Sequence, residues 1–395
     1  MELGAGVNVI GSDAQLKVLM LRGWELPTYE SVPSSVPNRG LGGTELQLLL
    51  QARALADSGH EVTVIGTTSQ RKEELGIRFL PPPTTPGTLV EPSAFDLVFT
   101  NVSNHLDRVR TLNPSATIVQ VCQNGPDLSA RDLVDLFAFV GDGQFAYYSV
   151  KHRRLRHKFV LLPNVVSLQP SPSEPSANVD DSRRRQVVWV GGLSKQGLRR
   201  WGRVMERVMS EDEGVEWLLC APAYSRIDCE GLPPPLRGLD LPSDRVQVKN
   251  LAPTQLAAEL RRSTAVIASL GGEDGPVSYL DGHAAGVPVL CADDIYGYYW
   301  NPAHTGLRCS TDRQCYEGLK RVLVDSEFRR ELGGGGMRFA EALGEERQRI
   351  HLEAILTLHR LRGHWDLLLQ RSRQSDRKHA WRYFVERLDL KVRGL

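Results

Sequence analysis

Residues 265–290 have the sequence AVIASLGGEDGPVSYLDGHAAGVPVL, and this stretch carries the clearest structural signal in the chain. An apolar run comes first, followed by a turn rich in glycine and acidic residues. A stretch of helical character then starts at Val277 and leads into a second apolar run. Continuous apolar runs joined by a helix are typical of neighbouring parallel strands that are covered on both faces. The stretch therefore predicts a β-α-β unit.

The same alternation recurs on both sides of a break in the middle of the chain. Residues 169–185 are rich in proline, serine and charged residues, a composition that cannot bury apolar surface and is typical of a linker. The predicted strands are residues 17–21, 60–65, 97–99, 117–121 and 159–162 before the break, and 187–190, 217–219, 246–248, 265–268 and 287–290 after it. We therefore expect an α/β fold with two Rossmann-like domains that face a central cleft, where ligands bind at the carboxyl ends of the strands.

This pattern divides the chain into four parts. We expect an N-terminal domain over residues 1–168, the linker over 169–185, a C-terminal domain over 186–365 and a basic helical tail over 366–395. The tail interleaves aromatic with basic residues, which favours a helix packed on the body with a solvated basic face over contact with RNA. A peripheral membrane contact through the tail stays open.

Composition excludes several classes of protein. The 395 residues include 48 Lys and Arg against 47 Asp and Glu, a net charge of +1, so no strong attraction to nucleic acid is expected. The 41% of hydrophobic residues is ordinary for a globular protein, and neither a membrane-spanning run nor a signal peptide is visible, so we expect a cytoplasmic location. None of the six cysteines forms a C-x-x-C pair, which argues against a zinc site, and Cys220 and Cys291 are expected as buried thiols.

The turn before the predicted helix in residues 265–290 holds the best candidates for a ligand site. A helix start carries free N–H groups and a partial positive charge, which favours a phosphate. Gly275 allows close approach of the backbone, and Pro276 suits the first helical position. Glu273 precedes the helix and Asp281 lies about one turn into it, so both carboxylates can reach one ligand. From the spacing alone, a helix cap with an exposed acid remains an equal alternative.

This segment resembles the E-x7-E signature of retaining GT-B glycosyltransferases of family 4, in its E-G-x-P variant. The matching residues are Glu273, Gly275, Pro276, Leu280, Ala284, Gly286, Pro288 and Val289. Three further elements fall in the order found in the family: the Gly42-Gly43-Thr44-Glu45 loop, the Pro163-Asn164-Val165-Val166 element before the linker, and the Val190-Gly191-Gly192-Leu193-Ser194 turn that opens the second domain. Together these elements span most of residues 17–345. Thr44 and Gln47 also predict a capping box at the start of the first helix.

The resemblance implies that the second domain binds a nucleotide-sugar, with a UDP-sugar as the expected donor, and that the first binds a hydroxyl acceptor. Glu273 would contact the transferring sugar, and Asp281 would hold the ribose hydroxyls. The residues expected around the diphosphate are Gly42, Gly43, Gly275, Pro276, Val277 and Ser278. This scheme needs no metal and no cofactor, because fixed dipoles and cations stabilise the leaving diphosphate. Retention is ascribed in this family to attack from the same face as the leaving group.

The sequence departs from the family at several positions. Gly192 stands where the family has an Arg, which leaves Lys195 as the candidate phosphate contact, with Arg199 and Arg200 nearby. Asp281 replaces the second Glu of the signature. The family also places a His near the sugar in the first domain, and the candidates for that role are His105 and Asn124.

These departures keep a second function open, that of a catalytically weak GT-B-like protein that acts as a binding partner or scaffold. A dehydrogenase is disfavoured because no G-x-G-x-x-G follows a strand, and an NTPase because no P-loop lysine motif is present. A nucleotide-sugar epimerase or a phosphorylase of the same fold is a closer rival.

Overall fold

The structure is a computed structural model that describes most of the two predicted domains. The described residues are 14–21, 43–66, 70–81, 94–101, 103, 106–123, 125–166, 185–193, 197–221, 232–268, 277–292 and 303–362. Within them, the chain forms two α/β units, each built on one sheet. The basic tail predicted over residues 366–395 and most of the linker lie outside the described residues.

The first unit contains an eight-stranded sheet in the order β3-β4-β2-β1-β5-β6-β7-β8. Its strands are β1 (Lys17–Leu21), β2 (Glu61–Ile65), β3 (Lys72–Glu74), β4 (Ile77–Leu80), β5 (Leu97–Thr100), β6 (Thr117–Cys122), β7 (Leu136–Phe139) and β8 (Phe159–Leu161). Its helices are α1 (Gly43–Asp57), α2 (Leu106–Leu112) and α3 (Asp142–Lys151). All strand pairs are parallel except β3 with β4, and the central strands are buried on both faces because helices cover the sheet.

The second unit contains a six-stranded parallel sheet in the order β11-β10-β9-β12-β13-β14. Its strands are β9 (Gln186–Val190), β10 (Glu216–Cys220), β11 (Val246–Lys249), β12 (Ala265–Ala268), β13 (Val289–Ala292) and β14 (Gly306–Cys309). The helices that follow are α4 (Leu198–Glu211), α5 (Pro253–Arg262), α6 (Val277–Ala284), α7 (Asp312–Val324), α8 (Ser326–Glu341) and α9 (Glu345–Arg360). This is the doubly wound order of a Rossmann domain, in which the direction of strand addition reverses at the first strand.

Every strand predicted from an apolar run is present, so the prediction of two Rossmann-like domains is confirmed. The strands that were not predicted are β3, β4, β7 and β14. Charged residues interrupt three of them, as in the Lys72–Glu74 edge strand, so no continuous apolar run marks these strands in the sequence. β7 is apolar but only four residues long.

Helix α9 returns to the first unit after the second sheet is complete. Its buried residues Leu352, Ile355 and Leu356 belong to the same apolar core as β1, β2 and α1. His359 Nδ1 lies 2.9 Å from the hydroxyl of Thr117 on β6. The predicted boundaries placed this helix in the C-terminal domain, over residues 186–365, whereas its apolar face completes the core of the N-terminal domain.

Candidate functional site

Helix α6 begins at the crevice of the second sheet. β9 pairs with β10 on one side and with β12 on the other, so the strand order reverses between β9 and β12. Ligands of open α/β sheets bind outside the carboxyl ends of the strands at such a point. α6 follows the carboxyl end of β12, and Gly191 and Gly192 follow the carboxyl end of β9. The structure therefore brings Gly192 and the start of α6 to the same edge of the sheet.

The polar side chains of α6 are buried. Asp281 is only 4% exposed, and Ser278 is 9% exposed. The alternative of a helix cap with an exposed acid is therefore wrong for Asp281, because this carboxylate is removed from solvent. Burying a charged carboxylate costs free energy unless neighbouring polar groups compensate it. Val277 is half-buried and begins the helix.

A run of glycines in α8 fixes the position of α6. A Cβ atom added at Gly333 would lie 2.3 Å from the carbonyl oxygen of Gly286, directly after α6. One added at Gly336 would lie 2.9 Å from Nδ1 of His283, a residue of α6 that is fully buried. His283 also packs edge-on against Phe339, with ring centroids 5.5 Å apart. Only glycine permits this approach. Helix α6 is therefore held in place by a close contact with α8, which the sequence of residues 265–290 does not reveal.

The cations expected near the phosphates are only partly described. Arg200 donates to Asp312 at 2.6 Å and to the carbonyl of Ser310 at 2.9 Å, so this side chain is held at the start of α7. Arg199 lies 3.4 Å from the carbonyl of Pro235. Lys195, the preferred candidate, lies outside the described residues, as do the predicted contacts Glu273, Gly275 and Pro276.

In the first domain, the predicted helix after the double glycine is present and begins at Gly43, while Gly42 lies outside the described residues. The capping box predicted for Thr44 and Gln47 is wrong, because the Gln47 amide is used elsewhere. Gln47 Nε2 donates to the carbonyl of Val165 at 2.7 Å, and Gln47 Oε1 accepts from the N–H of Val165 at 2.9 Å. This pairing ties α1 to the Pro163-Asn164-Val165-Val166 element before the linker.

The remaining first-domain candidates, His105 and Asn124, lie outside the described residues. Next to Asn124, the Gln123 amide lies 3.3–3.5 Å from the Asn164 amide and pairs with it. Asp127 Oδ1 accepts hydrogen bonds from the hydroxyl and the N–H of Ser129, and hydrogen bonds from Ser103 and Ser129 lower the pKa of this carboxyl. A network of amides and hydroxyls therefore organises the carboxyl-end edge of the first sheet.

The same edge contains a pocket that the sequence analysis did not identify. It is lined by Met20, Thr44, Leu48, Gln51, Phe99, Thr100, Asn101, Val121 and Gln123. The space inside it is about that of one water molecule. The lining residues come from the ends of β1, β5 and β6 and from the first half of α1. The sequence signal that could have indicated it is Gln51, a polar residue that follows the leucines of α1.

The cysteines are structural. All five in the described ranges are buried and form no disulfide, including the predicted Cys220 and Cys291. Burial raises the pKa of Cys220 to about 12 and also raises that of Cys122, so neither is a thiolate at neutral pH. Over the described part of the chain, no cluster of His, Cys, Asp or Glu side chains could hold a metal ion, and no helix is long and apolar enough to cross a membrane.

Comparison with solved structures identifies the fold. Sucrose-phosphate synthase from Thermosynechococcus elongatus is 15% identical with a TM-score of 0.64, over 87% of this chain and 98% of that chain. HepE from Anabaena, in complex with UDP and glucose, is 13% identical with a TM-score of 0.63, over 87% of this chain and 100% of that chain. WaaG, a glycosyltransferase involved in lipopolysaccharide biosynthesis, is 13% identical with a TM-score of 0.59, over 85% of this chain and 99% of that chain.

The chain therefore has the GT-B fold, two Rossmann-like domains of the kind found in these glycosyltransferases. No family model and no curated protein matches the sequence. At identities this low, the similarity carries the fold and not the activity.

Proposed function

We propose that this protein is a retaining glycosyltransferase that moves a sugar from a nucleotide-sugar donor, a UDP-sugar, to a hydroxyl acceptor. The observation that carries the proposal is the buried carboxylate of Asp281, on the helix that starts at the crevice of the second sheet. Its position in the E-x7-E segment is the one that binds ribose in the family 4 enzymes that the sequence resembles. The GT-B neighbours include HepE in complex with UDP-glucose, which supports a nucleotide-sugar as donor.

In this proposal, the residues of the second domain bind and activate the donor. The start of α6, with Gly275, Pro276, Val277 and Ser278, receives the diphosphate, because its N–H groups and helix dipole favour negative charge. Negative charge grows on this diphosphate as the bond to the sugar breaks, and fixed dipoles that already point at it lower the barrier. Gly42, Gly43 and Gly192 bring backbone close to the phosphates, and Lys195 supplies a cation.

Two carboxylates hold the rest of the donor. Asp281 accepts hydrogen bonds from the ribose hydroxyls, and Glu273 contacts the transferring sugar. On the acceptor side, His105 or Asn124 orients the sugar or the attacking hydroxyl. Neither a metal nor a cofactor is needed, and the cytoplasmic location expected from the sequence stands as part of the proposal.

A second candidate function rests on Gly192, where the sequence lacks the Arg that clamps the diphosphate in the family. A charge-assisted hydrogen bond is roughly twice as strong as a neutral one, so its loss weakens both binding and catalysis. With a weak donor site, the chain would be a GT-B-like binding partner or scaffold.

Binding of a nucleotide to the purified protein distinguishes the glycosyltransferase from the scaffold. Thermal unfolding is measured with UDP, GDP, ADP and TDP, each at about a hundred times an expected micromolar dissociation constant, where a bound ligand adds about 2.7 kcal/mol to stability. We expect UDP alone to raise the melting temperature. A failure of all four nucleotides to do so would reject the glycosyltransferase and favour the scaffold.

Two variants then separate the roles of the carboxylates. Asp281→Asn keeps the side-chain volume and removes the charge, so we expect weaker UDP binding, by about 1.5–3 kcal/mol for a charge-assisted contact. Glu273→Gln is expected to leave UDP binding unchanged and to lower turnover of the UDP-sugar. Unchanged UDP affinity in Asp281→Asn would exclude the ribose contact, and equal losses of binding and turnover in Glu273→Gln would exclude the sugar contact.

A further inference from the structure

The end of α3 and the short turn Arg153–Lys158 that follows it concentrate positive charge. Residues 143–173 contain five Lys and Arg residues and no Asp or Glu, in a chain whose net charge is only +1. Four of the five cations are exposed, and the three arginines among them pair with no carboxylate of a described residue. These four are Lys151, Arg153, Arg154 and Arg156.

Two large apolar side chains are exposed beside these cations. Val150 is 67% exposed and Tyr147 is 46% exposed. Val150 and Lys151 lie three and four residues after Tyr147, so the three side chains share one face of α3. Nζ of Lys151 lies 3.1 Å from the hydroxyl of Tyr147 and donates to it. We call the four cations together with Tyr147 and Val150 the α3 patch.

The turn that carries the arginines is fixed to the body of the first domain. Nζ of Lys158, at the end of the turn, donates to the carbonyls of Arg131 and Val134, both at 2.7 Å. The negative charges of Asp135 and Asp132 act on this same lysine, which lies outside the α3 patch. The arginines of the turn are therefore presented to solvent by an anchored segment of chain.

The α3 patch lies at the opposite edge of the first sheet from the ligand crevice. α3 begins just after the carboxyl end of β7, and the turn leads directly into β8, which is parallel to β7. The end of α3 therefore lies where β8 begins, at the amino edge of the sheet. A large partner bound there leaves the crevice at the carboxyl edge open.

We propose that the α3 patch binds the surface of an anionic membrane. The four cations attract the phosphates of anionic lipids, and Tyr147 and Val150 enter the boundary between headgroups and acyl chains. A nucleic acid matches the patch less well, because an aliphatic side chain such as Val150 adds nothing to a contact with phosphates. The proposal goes beyond the glycosyltransferase function and does not depend on it.

The test measures sedimentation of the full chain with two kinds of vesicle, one of phosphatidylcholine alone and one of equal parts phosphatidylcholine and phosphatidylglycerol. We expect binding to the mixed vesicles only, and weaker binding as salt rises, because salt screens the attraction. Arg153→Gln combined with Arg154→Gln is expected to bind about thirtyfold more weakly, since each cation near an anionic surface contributes about fivefold. The matched control is Arg237→Gln combined with Arg338→Gln, which removes the same charge from two exposed arginines of the second domain.

Val150→Ser distinguishes a membrane from a nucleic acid. This variant keeps every charge and removes the exposed aliphatic group, so its affinity for the mixed vesicles is expected to fall about fivefold. Binding of a single-stranded oligonucleotide, measured on the same proteins, should be weak and unchanged by Val150→Ser.

Three results would overturn the proposal: no binding of wild type to the mixed vesicles, equal losses in the patch and control variants, or unchanged vesicle binding by Val150→Ser. Thermal unfolding with and without UDP is measured on the same samples and shows that each variant is folded. A UDP shift without vesicle binding overturns the membrane surface alone and leaves the glycosyltransferase standing. Vesicle binding that depends on Arg153 and Arg154, without a shift by any nucleotide, supports the membrane surface and rejects the donor function.

Discussion

Gln47 and Val165, 118 residues apart in sequence, are joined by two hydrogen bonds between the side-chain amide of Gln47 and the backbone N–H and carbonyl of Val165. Both residues are fully buried, at 0% exposure. The contact fixes the chain at the point where it leaves the first domain, because the next residue, Val166, packs into the core of the second domain and its N–H bonds to Leu343 at 3.2 Å. One turn further along α1, Gln51 is equally buried but has an unpartnered amide nitrogen.

Replacing these two glutamines by leucine is therefore expected to have opposite effects. Gln47→Leu leaves the N–H and the carbonyl of Val165 buried without partners, at a cost of about 2–4 kcal/mol. Gln51→Leu removes an unpaired donor from an apolar environment, so we expect unchanged or higher stability. Calorimetric unfolding of both variants measures this difference. Equal destabilisation would show that both amides act only by filling space.

Two neighbouring glycines of α8 are expected to respond in opposite directions to replacement by alanine. A Cβ added at Gly335 would lie 1.8 Å from the carbonyl oxygen of His304, so Gly335→Ala must push the backbones apart, and we expect about 3 kcal/mol of destabilisation. At Gly334 the nearest atom would be Nη1 of Arg338 at 3.6 Å, an ordinary contact. Gly334→Ala is therefore expected to stabilise the helix by up to about 1 kcal/mol. Thermal unfolding measures both changes, and the same sign in both variants would contradict the close packing.

Because α9 packs against the first domain, a substitution in its buried face is expected to destabilise the first domain and not the second. Ile355 is fully buried in the core shared with β1 and β2, so Ile355→Ala is expected to cost about 2–5 kcal/mol. Hydrogen exchange should then show faster exchange in the first sheet. The matched control is Leu319→Ala, which removes a similar volume on α7 from the core of the second sheet and should affect that sheet instead. Faster exchange in the second sheet alone for Ile355→Ala would exclude the packing described here.

The stability of the contact between α9 and the first domain should depend on pH. The pKa of His351 is lowered to about 4, because burial and the positive charge of Arg347 outweigh the opposite effects of Asp142 and of the carbonyl of Leu161. The unfolded chain has an ordinary histidine pKa near 6.5 and binds more protons between these values, so stability is lost as pH falls from about 6.5 to 4. The loss due to His351 is about 3 kcal/mol.

His351→Gln cannot be protonated and should remove that part of the acid sensitivity, measured by urea unfolding from pH 7 to pH 4. The pKa values of His60, which lies beside α9, and of His359, on α9, are lowered as well, so the variant should retain a smaller pH dependence. Identical pH profiles for wild type and variant would show that His351 does not contribute.

The sequence by itself determined the fold class, because a buried parallel strand must be an apolar run and such runs are visible in local sequence. It also placed α6 and Asp281, since the glycine, proline and acidic residues around a helix start lie within a few positions of each other. β3 and β14 were not predicted, because charged residues interrupt them and leave no continuous apolar run. Several predicted site residues, among them Glu273 and Lys195, stay predictions.

Only the tertiary structure decided which residues meet across long stretches of chain. Thr44 and Gln47 have the spacing of a capping box, but the Gln47 amide instead forms hydrogen bonds with the two buried backbone groups of Val165. Nothing local marks α9 as part of the first domain, or marks Gln51 and Asn101 as neighbours in one pocket. Such contacts depend on shape and on unmet hydrogen bonds in the folded protein, and neither has a period or a spacing along the sequence.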